Sequence, residues 1–243
     1  MATTITDIVK ATIEKSSAGI TFTAKDFPVA VVKQKTVNKI LNNLVSDGQL
    51  RSISKGRFYK PKVTEFGELK PDTYEIVKDL LEKDGKLIGY LTGYSVFNEL
   101  GLTTQVPFTL QIGAAKDKKS IERGIYKISF VRQANPITKK NIPLLRILDC
   151  LRFFKNIPDA MPDDTCRRLL VILQELSDKE KALIKELSLN YTPQATALLG
   201  AMLETLNPEE ETTAMLHALN PQSYYKLGIS ENVLLNQKKW NIK

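Results

Sequence analysis

No Asp or Glu occurs between Asp26 and Asp47, and the stretch between them carries Lys33, Gln34, Lys35, Thr36, Asn38, Lys39 and Asn42. A solvated helix face ordinarily mixes both signs, so an acid-free run of Lys and Asn points to a polyanionic partner. Lysine ammonium groups pair with phosphate or with guanine, and Asn or Gln carboxamides can bond adenine at two atoms at once. A second basic group follows at Lys55, Arg57 and Lys60, residue types suited to phosphate contact. The rest of the chain shows no comparable constellation. His217 is the only histidine, and its place between Leu216 and Leu219 near a helix end suits a partly buried or capping role. No Gly-rich loop runs into a Lys-Ser or Lys-Thr, so no nucleotide-binding loop is visible. Asp163, Asp164 and the run Glu209, Glu210 and Glu211 fall at expected helix starts, where acids complement the dipole. The expected strands carry almost no acids, which argues against a metal-dependent nuclease. The chain therefore reads as a binding protein, with no enzyme activity, cofactor or metal expected.

The basic residues need elements to hold them. Ile5, Ile8, Val9, Thr12 and Ile13 have helical spacing, with Thr4 as N-cap and Asp7 three residues later. An extended piece, Ile20–Thr23, and a short helix over 23–27 stopped by Pro28 come next. Val37, Ile40, Leu41, Leu44 and Val45 then form the apolar stripe of a third helix that ends at Asp47-Gly48. The alternating runs 50–54 and 57–60, joined by Lys55-Gly56, predict a hairpin. Helix, helix, basic helix and basic hairpin is the order of a winged helix-turn-helix, whose third helix enters the major groove of DNA.

Charge supports this division. Residues 1–62 hold eleven Lys and Arg against four acids, a net of +7 of the chain's +8, while the remaining 24 basic and 23 acidic residues nearly cancel. The fold class expected is α+β and mainly helical: a winged helix-turn-helix over 1–65, a linker near Val63–Lys70, and a second domain over 71–243. In that second domain a helix with core face Tyr74, Ile76, Val77, Leu80 and Leu81 ends at Asp84-Gly85. Strands are predicted over 86–92, 108–112 and 126–133, with a short helix closed by Gly101 and a basic, mobile-looking loop over 116–123. A helical region covers 142–225. Its punctuation is Asp163 or Asp164 as a cap, Ser177 with Glu180 as a capping box, and Thr192-Pro193 and Asn207-Pro208 as cap-plus-proline starts. Trp240 reads as a packing anchor. Cys150 and Cys166, among apolar helical residues, read as buried free thiols. The longest aliphatic run, Leu169–Leu173, is too short to span a bilayer, and the first residues show no secretory pattern, so a cytosolic location is expected.

The segment from Thr92-Gly93-Tyr94 through Leu100-Gly101-Leu102-Thr103, with Gln105-Val106-Pro107 leading to the next strand, resembles the AbiEi-type antitoxins of the type IV toxin–antitoxin, abortive-infection group. The resemblance covers roughly residues 5–155. It implies a winged helix-turn-helix followed by a mixed α/β domain, in a bacterial repressor of its own operon that also counters a nucleotidyltransferase-like toxin. Matched by position, DNA contacts fall on Lys33 to Asn42 and Lys55 to Lys60, and the motif from Tyr94 to Thr103 is structural, with Phe97 and Leu100 in the core. One recognition helix per chain suggests dimeric or cooperative binding to paired half-sites. Two other classes compete: a protein-docking module in which the winged helix and bundle serve as scaffold, and an enzyme acting on nucleic acid.

Overall fold

The computed structural model describes residues 4–105 and 108–243. Val106 and Pro107 of the motif above, and the first three residues, lie outside the described residues. The chain forms two compact units, one of Met1–Asp79 with Glu122–Tyr126, the other of Leu80–Ile121 with Lys127–Lys243.

The first unit opens with α1 (Ile5–Lys15), set by the Thr4–Asp7 capping box: Asp7 N–H donates to Thr4 Oγ1 at 3.2 Å and Thr4 N–H to the Asp7 carboxylate at 3.0 Å. Strand β1 (Thr21–Phe22) follows, then a single 3₁₀ turn at Ala24–Asp26 with a second capping box from Thr23 and Asp26. This turn is all that forms of the expected second helix, because Pro28 ends it at once. Another 3₁₀ turn, Val31–Lys33, leads into α2 (Gln34–Ser46). Val37, Leu41 and Leu44 are buried on α2 and pack with Val9, Phe22, Phe27, Leu50 and Phe58 in one apolar cluster. Gly48, at φ 75°, releases the chain after Asp47, and β2 (Arg51–Ser54) turns through Gly56, at φ 73°, into β3 (Arg57–Tyr59). The sheet order is β1-β3-β2, antiparallel throughout. This is a winged helix-turn-helix.

The stretch predicted as a linker is instead a hairpin of β4 (Lys62–Thr64) and β5 (Gly67–Leu69), with Thr64 Oγ1 donating to Gly67 O. Helix α3 (Thr73–Leu81) buries Ile76, Val77 and Leu81, but Tyr74, expected in the core, is exposed. The helix also stops earlier than predicted. Asp84-Gly85, with both φ positive, turns the small hairpin of β6 (Glu82–Lys83) and β7 (Lys86–Leu87).

The second unit contains β8 (Gly89–Thr92), α4 (Tyr94–Glu99) and β9 (Thr109–Ala114). Strands β10 (Ile121–Arg123) and β11 (Tyr126–Arg132) complete a sheet of order β10-β11-β9-β8. Pairing is parallel for β11 with β9 and antiparallel for β8 with β9, so the sheet is mixed. Strand β10 lies in the stretch predicted as loop, where the cluster of lysines masks a three-residue strand. In the Tyr94–Thr103 motif Phe97 is buried and Leu100 half-buried against the core. Gly93 is held at φ 63°, ψ −131°, a backbone conformation that side-chain-bearing residues avoid.

Helices α5 (Ile142–Arg152), α6 (Pro162–Gln174), α7 (Asp178–Ser188), α8 (Pro193–Leu206) and α9 (Thr213–His217) form the bundle. Helix α8 is buried almost from end to end. The Ser177–Glu180 box and the Thr192-Pro193 start form as predicted. Two other starts differ. Met161 precedes α6 and Asp163 is turned away to accept from Ser230, while Asn207-Pro208 makes a turn and α9 begins five residues later at Thr213. His217 is exposed in the last turn of α9, so of the partly buried or capping roles expected the buried one does not hold. Trp240 is fully buried against Gly200, where a Cβ would come within 2.1 Å of the indole, and its Nε1 donates to Glu204. Cys150 and Cys166 are both buried and unpaired, and burial pushes the Cys166 thiol up to about 12. Among the described residues, no helix is long and apolar enough to cross a membrane.

Candidate nucleic-acid interface

With Val37, Leu41 and Leu44 turned inward, the 3.6-residue period puts Lys35, Asn38, Lys39, Asn42 and Ser46 on the outer side of α2. Lys33, Lys35, Thr36, Lys39 and Asn42 are exposed, and Gln34 and Asn38 half-buried. The wing joins this face: a Cβ on Gly56 would lie 4.0 Å from Asn38 Oδ1, so the turn carrying Lys55 sits beside the middle of α2. Asn42 Nδ2 donates to Asn38 O at 2.8 Å and Ser46 Oγ to Asn42 O at 3.2 Å. Both side chains lean back on their own helix and would have to release those bonds to read a base.

The start of α2 is electrostatically unusual. No side chain caps it and its first turn contains no acid, whereas Lys33 and Lys35 stand there. The 3₁₀ turn Val31–Lys33 runs straight into it, with Lys33 N–H donating to Ala30 O and Gln34 N–H to Val31 O and no side-chain cap of its own. The positive end of the helical run therefore lies within about a turn of both lysines, and each cation placed there costs about 0.3–1 kcal/mol. An anion at this end would be stabilised by the dipole and both ammonium groups together. Among the described residues, Lys33, Lys35, Lys39, Lys55 and Lys60 have no carboxylate within 4.0 Å, although Lys60 is half-buried.

Arg57 departs from this pattern. Its guanidinium is half-buried and bonded to Asp79, which also holds Arg123 at 2.7 and 2.9 Å. Burial and the nearby Arg123 lower its pKa, and Asp79 opposes them. The side chain is an internal tie of the unit, joining the wing strand to α3. Sequence gave no sign of this, because Asp79 is 22 residues away. Sequence reading also missed Val31 and Val32, which are 77% and 83% exposed immediately before the basic helix.

The second unit holds a buried polar cluster. Asp149 accepts from Tyr90 Oη at 2.7 Å, Thr92 Oγ1 at 2.6 Å and Tyr191 Oη at 3.2 Å, and Gln133 Nε2 donates to both tyrosines. Burial pushes the Asp149 carboxyl up, with the three hydroxyl bonds opposing. The cluster ties β8, the end of β11, α5 and the turn before α8, and its carboxylate is enclosed. Among the described residues, no group of three His, Cys, Asp or Glu could hold a metal ion.

Fold and site together define a winged helix-turn-helix protein with an appended α+β unit and a cationic face on α2. The chain belongs to DUF6088, a family of unknown function, which matches residues 8–147. Among solved structures, the crystal structure of the RV2827C protein from Mycobacterium tuberculosis is similar over 90% of this chain and 83% of that one, with a TM-score of 0.58 and 13% identity, a likeness of fold. No curated protein matches.

Proposed function

We propose that the protein is a DNA-binding transcriptional regulator whose first unit docks α2 in the major groove. The observation that carries this reading is the start of α2. Lys33 and Lys35 stand at a helix start with no side-chain cap, exposed and without a counter-ion among the described residues, and the wing turn that carries Lys55 lies beside the middle of the same helix. That arrangement costs stability in the free protein and is repaid by phosphate. Lys39, Asn38 and Asn42 follow along the same face, where base edges lie in this docking geometry. Lys60 adds backbone charge. The resemblance to AbiEi-type antitoxins extends the reading to an autorepressor that also counters a nucleotidyltransferase-like toxin, binding its own operator as a dimer or cooperatively.

The test is binding of the purified chain to the DNA upstream of its own gene, against an unrelated duplex of equal length. Wild type is expected to prefer the upstream DNA and to weaken steeply with salt. A variant with Lys33, Lys35, Lys39 and Lys55 changed to Ala should lose most affinity while melting no lower than wild type. Equal binding by both proteins would remove α2 from the DNA and favour a protein-docking module.

A further inference from the structure

We infer that Val31 and Val32 are a specificity element that reads thymine methyl groups in the operator, an inference that rests on the DNA-binding reading above. Both lie on the 3₁₀ turn that runs directly into α2, and they are among the most exposed large apolar residues of the chain, at 77% and 83%. Their neighbour Val29 packs against the apolar cluster of the unit, but neither Val31 nor Val32 does. Pro28 and Ala30 are exposed as well, so an uncharged apolar strip meets the lysines at its C-terminal end.

Single exposed aliphatics are ordinary on protein surfaces. Two adjacent β-branched ones, nearly bare, at the end of a helix whose other outward residues are all polar, are a different case. The surface they would face, if α2 enters the major groove, carries one apolar group, the C5-methyl of thymine. In helix-turn-helix docking the residues at the N-terminus of the recognition helix meet the base edges. The polyanion recruited by Lys33 and Lys35 is thus the partner whose surface the valines would touch. Lysines supply affinity without sequence information, whereas a methyl contact discriminates.

The experiment replaces thymine by deoxyuridine in the bound upstream site, position by position, which deletes only the methyl. Wild type should bind about four-fold more weakly for each contacted methyl lost, the factor carried by one buried methylene-sized group. A Val31→Ala, Val32→Ala variant should bind thymine DNA more weakly and be indifferent to deoxyuridine at the same positions. Both residues are exposed, so the fold should tolerate the change. A Val31→Ser, Val32→Ser variant, which carries no methyl group, serves if the alanine protein melts early. Equal deoxyuridine sensitivity in wild type and variant, or none in either, overturns the inference. So does a variant that binds every duplex as wild type does, which would assign the valines to a protein partner. In each of these outcomes salt-dependent binding to the upstream DNA persists, and the DNA-binding reading stands. Absence of binding by wild type overturns that reading and the inference together.

Discussion

Arg57 and Lys39 carry the same charge in the same unit and are expected to fail in different ways. The Arg57 guanidinium is half-buried and shares Asp79 with Arg123, so truncation leaves Asp79 with one partner fewer and loosens the wing from α3. Arg57→Ala should therefore cost stability, about 1–3 kcal/mol, read as a lowered melting temperature. Lys39 is exposed and without a partner among the described residues, so Lys39→Ala should leave melting unchanged and weaken DNA binding. Asp149 gives a residue-scale prediction in the other unit. Burial raises its pKa above the value of the unfolded chain, so the folded state holds the proton more tightly. Its contribution to stability is then complete at low pH and is lost as pH rises from about 4, the ordinary aspartate value, through the raised folded value. Asp149→Asn should remove that slope. Asn stands in for the protonated carboxyl, so thermal melts of the two proteins should run together at low pH and separate as pH rises, with wild type falling relative to the variant; parallel curves would show the carboxyl to be unshifted.

At the scale of elements, helix α2 sets its stability against its function. The uncapped, acid-free start with Lys33 and Lys35 is a poor helix N-terminus, and Lys35→Glu should improve it by about 0.3–1 kcal/mol, since an acid there complements the dipole. The same change should abolish DNA binding by presenting a carboxylate to phosphate. A variant that melts higher and binds worse is the expected pair of results; one that melts lower would show that Lys35 has a structural partner in solution. The helix itself was legible in sequence because the spacing of Val37, Leu41 and Leu44 is local information. So were its end at Gly48 and the wing turn at Gly56, each with a positive φ that glycine serves best. The hairpin of β4 and β5 was not legible, since its strands are three residues each and carry Gly and Glu where a strand pattern would show alternation. Strand β10 was hidden in the same way. The starts of α6 and α9 were misplaced for another reason. Asp163 bonds to Ser230, 67 residues away, and α9 starts after Thr212, whose hydroxyl bonds Glu204 and caps nothing, so tertiary partners decided between local candidates of similar quality. Of the candidate site, the lysines were legible as an acid-free pattern. The commitment of Arg57 to Asp79 was not, because an ion pair between residues far apart leaves no mark on either neighbourhood.

Over the whole molecule the excess charge is unevenly placed, and that placement is testable without knowing the operator. The first 62 residues hold +7 of the net +8. Two of their cations, Arg51 and Arg57, are paired with Glu68 and Asp79. Of the nine others, Lys33, Lys35, Lys39, Lys55 and Lys60 lie on and around α2 and the wing, where this docking would set them against phosphate, and Lys10, Lys15, Lys25 and Lys62 lie elsewhere. Five phosphate contacts per chain correspond to a slope of about −4.5 in log K against log salt for duplex DNA. Lys116, Lys118 and Lys119 of the second unit are exposed and just as basic. Charge alone would let either set bind DNA; the uncapped helix start and the adjoining wing favour the first. Changing Lys116, Lys118 and Lys119 together to Ala should therefore leave the slope and the preference for upstream DNA as in wild type, while each lysine removed from the first set should flatten the slope by about one. A slope that flattened with the second-unit lysines instead would move the DNA path off α2.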